Sequence, residues 1–310
     1  MMNAKNKTQS AFVRLKKQMT YQSMVWIGLG FTLVFAYLPM FGIVAAFEKY
    51  TFRKGFFGSE WVGLDNFASF FHDPDLARII GNTISMGLLN LLICFPLPIL
   101  FAILLNEIRN GPFKRIVQTA SSFPNFISWV IVSVLLITLL SPDSGIVNRL
   151  LVNFGLVDKP ILFLGWPEYY WWIAILSNAW KGTGWTAIIY LAAITGIDRS
   201  IYEASELDGA NRFQKAWYIT VPSIMPTIGI MLVLTIGGLL GVGFDQALLL
   251  GNTINEPKSN VLQYYIYQKG LITGDFSYAT AMGLVVSVIS LGLMLFANFV
   301  SKKTKDVGVM

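Results

Sequence analysis

The chain predicts an all-α membrane protein with six transmembrane helices and both termini in the cytoplasm, N-in and C-in. Three observations carry that expectation. Hydrophobic residues fill 55% of the 310 positions, charged residues only 13%, and the mean hydropathy is +0.59; soluble domains hold about 25% charged residues. Six segments are long and apolar enough to cross a hydrocarbon layer of about 30 Å as helices. The basic residues divide unevenly between the loops that join them.

A basic N-terminus, residues 1–23 with Lys5, Lys7, Arg14, Lys16 and Lys17, precedes the first crossing at 24–47. Such a start also opens a secretory signal, with a cleavage site near Ala45-Ala46. An apolar run of 24 residues exceeds the roughly 7 to 15 of a cleaved signal core, which favours an uncleaved span. External loop 48–78 carries Trp61, Phe67, Phe70 and Phe71 among charges and reads as a short interfacial helix.

The second crossing is 79–105, the third 122–140 and the fourth 169–194. Loop 141–168 contains an apolar stretch, 146–156, too short to span and again interfacial in character. The fifth crossing, 223–244, leads to an ordered external segment, 251–278, with a helical turn around Tyr264, Tyr265 and Tyr267. The sixth is 279–300, followed by a cytoplasmic tail at 302–310. Pro96, Pro98 and Pro226, with Gly237-Gly238 and Gly241, interrupt or bend spans two and five. In lipid such breaks survive where neighbouring helices or a cavity satisfy the freed carbonyls, so these spans face protein or carry kinks without a role.

With the N-terminus inside, cytoplasmic segments hold 14 Lys and Arg, external loops 8, and Lys181 alone lies within a span. This bias sets the orientation and accounts for the net charge of +6 without a nucleic-acid partner. The single cysteine, Cys94, and single histidine, His72, build neither a disulfide framework nor a metal site.

The orientation places residues 197–222 in the cytoplasm. Glu203, Ala204, Ser205, Glu206 and Leu207 suit a helix, Asp208-Gly209 breaks it, and 211–218 suits a second one. Val221-Pro222 then restarts a helix leading into span five. Phe213, Trp217 and Tyr218 offer apolar bulk to a groove on a partner, and Glu203 offers charge. An ordinary loop would instead lay its aromatics on the membrane. No G-x-x-x-x-G-K-[ST] sequence occurs, so the chain has no phosphate-cradling loop.

The run Glu203-Ala204-Ser205-Glu206-Leu207-Asp208-Gly209-Ala210 resembles the EAA loop of ABC importer permeases, with Pro222 following at the usual distance. Ser205 for the second alanine, Trp217 where phenylalanine is frequent, and Val221 before the proline are its departures. Tyr37-Leu38-Pro39-Met40-Phe41-Gly42, Leu105-Asn106-Glu107, Phe123-Pro124-Asn125-Phe126, Trp180-Lys181-Gly182-Thr183-Gly184-Trp185 and Gly243-Phe244-Asp245-Gln246 resemble the carbohydrate-importing, LplB-like and YteP-like branch of binding-protein-dependent permeases, over about residues 25 to 300. The resemblance implies a type I ABC importer permease fold with its core at 79–301. It also implies a second homologous permease across which span one packs, and two ATPase subunits holding the ATP and magnesium. An extracellular solute-binding lipoprotein, a carbohydrate substrate and a Gram-positive bacterial plasma membrane complete the implied setting. No bond chemistry or cofactor falls to the chain itself. Glu203, Ala204, Ser205, Asp208, Gly209, Ala210, Phe213, Trp217 and Pro222 would couple it to the ATPase.

Sugars are held by aromatic faces and polar groups within one cavity. Trp180, Lys181 and Trp185 in span four, Asn125 and Trp129 in span three, and Phe244, Asp245 and Gln246 after span five are the candidates; each also suits packing between subunits or at the lipid interface. A lysine at membrane depth faces a cavity or an acid. Asn90, Asn106 and Asn178 read as bonds between helices. Rival readings are a secondary transporter, which the lack of a carboxylate central to any span disfavours, a membrane scaffold, and an importer of another solute.

Overall fold

The computed structural model describes residues 18–109 and 111–305. The basic residues Lys5 to Lys17 and positions 306–310 of the tail lie outside the described residues. Helix α1 (Met19–Thr32) runs on through a π turn (Leu33–Tyr37) and a 3-10 stretch (Leu38–Phe47), giving a crossing of 27 residues, Tyr21–Phe47. From Ser23 to Phe41 every residue is exposed, while the outer end buries Ala45 and Ala46.

After it, strands β1 (Glu48–Lys49) and β2 (Glu60–Trp61) pair antiparallel, Glu48 opposite Trp61. Phe47 stacks on Trp61 at 5.7 Å, and the Asn66 amide donates to the carbonyls of Ala46 and Glu48. Helix α2 (Asp65–Phe71) follows, the short helix expected in this loop. Phe70 enters a core cluster with Ile79, Leu262, Tyr265 and Met282, and Phe67 lies 5.3 Å from Phe47. Phe71 and Leu64 nevertheless stay exposed, so an apolar face of the segment is left outward.

The second crossing joins α3 (Leu76–Leu89), a π turn (Asn90–Cys94) and α4 (Pro96–Glu107), 32 residues in all. Span three differs from the single helix expected at 122–140. Helix α5 (Pro112–Ser122) with its 3-10 end (Phe123–Phe126) meets α6 (Trp129–Leu140) at 98°. Pro124 cannot continue an α-helix, Ile127 is extended, and Ser128 restarts the chain by accepting from the N–H of Ile131 at 3.3 Å. Helix α7 (Ile146–Asn153) is the short external helix expected, held by Asn148, whose amide donates to Leu140, Ser141 and Ile161 carbonyls.

Helix α8 (Pro167–Thr195), 29 residues and about 44 Å long, is the central post. Its outer half packs Tyr170, Ala174 and Ile175 against Met86, Ala247 and Val261. Its inner half packs Ala187, Tyr190 and Ile194 against Ala102, Leu105 and Ile224. It is less apolar than the other crossings because Asn178, Lys181 and three tryptophans, Trp171, Trp172 and Trp180, lie within or near its outer half. Helices α9 (Arg199–Leu207) and α10 (Arg212–Lys215) then form the hairpin, and α10 continues through a π turn (Ala216–Thr220) to Val221–Ser223. Helix α11 (Met225–Gly237) leaves it at 63°. Pro222 therefore does not restart a helix as expected; the break falls at Ile224, just before Met225-Pro226. A 3-10 turn (Leu239–Gly241), α12 (Phe244–Leu250), α13 (Glu256–Ser259), α14 (Leu262–Tyr267) with a π turn (Gln268–Ile272), and the final crossing α15 (Phe276–Lys305) complete the chain.

Candidate functional site

The hairpin of α9 and α10 is built by local chemistry. Asp198 caps α9 by accepting from the N–H of Ser200 at 2.9 Å, and that bond holds its carboxyl below the usual carboxylate range. After Leu207 the backbone reverses at Gly209, whose φ of 78° lies in the left-handed region that glycine enters without cost. Asn211 opens α10 with a reciprocal capping box, its side chain accepting from Gln214 N–H and the Gln214 side chain from its own N–H.

Two bonds tie the helices together. Lys215 Nζ lies 2.7 Å from Glu206 Oε1, and the hydrogen bond and charge of that lysine hold the Glu206 carboxyl below its ordinary value. Tyr202 Oη lies 2.8 Å from the buried Thr220 hydroxyl, joining α9 to the π turn that leads into span five. Arg212 reaches Glu107 at the end of span two at 3.9 Å. Between the helices lies a groove of about 320 Å³ lined by Ser205, Asp208, Gly209, Ala210, Gln214 and Tyr218. Around it Leu207 is 91% and Phe213 87% exposed, with Trp217 and Tyr218 also turned outward. Glu203, 67% exposed, pairs with Arg199 at 3.3 Å on its own helix. Ala204 lies on the same helix, and Pro222 lies beyond the π turn. The hairpin is thus a braced protrusion with an uncovered apolar face.

A second grouping lies inside the membrane region. Lys181 Nζ donates to the carbonyls of Asn125 at 2.7 Å and Pro124 at 3.4 Å and lies 5.7 Å from the Trp129 ring centre. Trp185 meets Phe126 edge-on at 5.3 Å. Span four and the bend of span three can approach this closely because Gly184 has no side chain: a Cβ there would stand 2.1 Å from the Ser121 carbonyl oxygen. Asn125, Trp129, Lys181 and Trp185 are thus gathered around one bend, whereas Asp245 lies in the first turn of α12. Trp180 is not among them; it lines an apolar groove with Val132, Leu135 and Leu139. Phe244 faces Tyr267 at 5.7 Å, and Gln246 is buried. Of the residues expected to join helices, Asn178 donates to Asn90 at 2.8 Å.

Sequence reasoning missed Tyr202, Glu206, Lys215 and Thr220 as braces. The Asn-x-x-Gln spacing at 211–214 was a readable cap signal, whereas the Glu206–Lys215 pair depends on the turn closing first.

Residues 94–306 match the family model described as binding-protein-dependent transport system inner membrane component. The chain is 42% identical over 98% of its length to the polygalacturonan/rhamnogalacturonan transport system permease protein YteP of Bacillus subtilis (strain 168), covering 94% of that protein. It is 40% identical to protein LplB of the same organism, over 91% of this chain and 88% of the other. Among solved structures, a chain of a bacterial ABC transporter that imports the acidic polysaccharide alginate superposes with a TM-score of 0.87 at 37% identity, over 96% of this chain and 99% of that one. The same likeness holds for that transporter in complex with an alginate pentasaccharide-bound periplasmic protein.

Proposed function

This chain belongs to the family of binding-protein-dependent transport system inner membrane components, and from that premise we propose how it works as the permease subunit of an ATP-driven carbohydrate importer. It is a transport subunit, embedded in the membrane by its apolar helices, and not an enzyme. Its substrate is an oligosaccharide, and uronate-containing chains are the first to test, since the relatives of 42% and 37% identity are named for polygalacturonan and alginate.

The braced hairpin carries the mechanism. An ATPase subunit seats the exposed face of Phe213, Trp217 and Leu207, and its closure pushes a body that cannot flex internally because Lys215–Glu206 and Tyr202–Thr220 hold both helices. The push reaches span five through the 63° bend at Ile224. ATP and magnesium belong to that subunit, since the chain has no phosphate loop of its own. A second homologous permease covers the bare first span, which buries none of its most apolar stretch within this chain. A solute-binding lipoprotein delivers the sugar from outside, at a bacterial plasma membrane for which the Bacillus relatives suggest a Gram-positive host. The Lys181, Asn125, Trp129 and Trp185 grouping faces the sugar as it passes, with Phe244 and Asp245 of α12 offering further contacts and the buried Gln246 lying behind them.

The test is uptake in proteoliposomes holding the assembled transporter and its loaded binding protein. Labelled galacturonate or mannuronate oligomers should accumulate only with ATP, and less when Phe213→Ala and Trp217→Ala strip the hairpin face. Uptake that continues without ATP, or unchanged coupling in the stripped variant, would overturn the reading.

A further inference from the structure

Outside the crossings, one external element collects bare aromatic rings beside bare cations. Between β1 and β2, Phe52, Arg53, Lys54, Phe56 and Phe57 are all exposed, Phe57 completely, and Trp61 is exposed on β2. The tip is folded, not slack. Lys54 and Gly55 N–H both donate to the Thr51 carbonyl, Gly55 takes a φ of 65°, and the Ser59 hydroxyl donates to the Gly55 carbonyl at 2.7 Å. Its depth is fixed by two crossings at once. Phe47, the last residue of the first crossing, stacks on Trp61. Tyr50 N–H donates to Ser277 Oγ at 2.8 Å and Phe52 meets Phe276 at 5.1 Å, at the first turn of the last crossing. The loop is thus clamped where the first apolar crossing ends and the last one begins.

We propose that this tip is seated in the outer leaflet, with Phe56 and Phe57 at the headgroup–acyl boundary and Arg53 and Lys54 against lipid phosphates. Aromatic rings gain most at that depth, and cations beside them are drawn to anionic headgroups. The charge pattern matches that occupant: the two cations stand between the rings, and no carboxylate intervenes until Glu60 on the strand. The tip therefore anchors the outer ends of spans one and six against tilt. This holds whether or not the chain imports sugar.

The experiment places a nitroxide at Phe57→Cys, and for reference at Thr253→Cys on another exposed external loop, in a Cys94→Ala background. The purified transporter complex goes into nanodiscs of phosphatidylglycerol or of phosphatidylcholine. Phe57 makes no packing contact that its loss would disturb. The expected result is a several-fold higher ratio of oxygen to nickel-chelate accessibility at 57 than at 253. That ratio should be larger in phosphatidylglycerol and fall toward the phosphatidylcholine value when Arg53→Gln and Lys54→Gln are added. A water-like reading at 57 in both lipids would overturn the proposal. So would shielding from both oxygen and nickel that appears only in the assembled complex, which would assign the surface to a protein subunit.

Discussion

Asp73 accepts hydrogen bonds from Tyr265 and Tyr278, each at 2.6 Å, and so ties the loop before span two to α14 and to the outer end of span six. Partial burial raises its carboxyl, but the two hydroxyls, the Asp75 N–H and the charge of Lys269 outweigh that and hold it below the ordinary Asp value. A carboxyl depressed in the folded state contributes stability above the unfolded value of about 3.9, lost as pH falls through the folded one. Asp73→Asn should cost about 1–2 kcal/mol at neutral pH. Melting curves of both forms should converge as the pH drops below about 4; a gap that persists in acid would show the charge to be irrelevant. Gly184 sets a second limit at this scale. Because a Cβ there would stand 2.1 Å from a backbone oxygen, Gly184→Ala must push span four from the bend of span three, at a cost of about 1–3 kcal/mol or more. Melting at the wild-type temperature, with full yield from the membrane, would contradict that contact.

At the scale of elements, prolines leave a consistent mark. The π turns at Leu33–Tyr37, Asn90–Cys94 and Ala216–Thr220 each end two residues before a proline, Pro39, Pro96 and Pro222. A proline ring collides with the carbonyl four residues back, and in each case that carbonyl lies at the centre of the widened turn, so the helix continues instead of breaking. This explains why the expected restart at Pro222 is absent and the true bend lies at Ile224. Crossings one, two and six were legible because their length is set by the bilayer, and all three are long apolar helices among the described residues. The bend in span three was not, since apolar content is blind to direction, although Pro124 and Ser128 marked it. The hairpin was legible through Asp208-Gly209, whose turn chemistry is local. The Lys181 grouping was only half legible: neighbours on a helix point about 100° apart, so Trp180 could not share the face of Lys181. Gly209→Val forces a left-handed conformation costing about 1–2 kcal/mol and misaligns the two helices. With the transporter still assembled, ATP hydrolysis should persist while uptake falls. Tyr202→Phe with Thr220→Val should shift the ratio of uptake to hydrolysis the same way more mildly, and normal uptake in both variants would deny the hairpin its lever role.

For the whole molecule, the lever argument stands on which side of the membrane the hairpin occupies. Fourteen basic residues in the segments assigned inside against eight in those outside set the direction, and the six crossings expected from the sequence return the chain to its starting side. Helices α7 and α9 lie in loops at the two ends of α8, whose length of about 44 Å separates them by more than the hydrocarbon core. They must therefore face opposite compartments. Phe154, exposed just after α7, and Leu207, exposed at the end of α9, each report one side when the chain is expressed without its ATPase subunit. In a Cys94→Ala background, a membrane-impermeant maleimide added to intact cells or right-side-out vesicles should label Phe154→Cys and leave Leu207→Cys untouched. Inverting the vesicles should exchange the two results. Labelling of Leu207→Cys from outside would place the hairpin beyond the reach of any cytoplasmic ATPase, and the family's fold would then have to be driven in some other way.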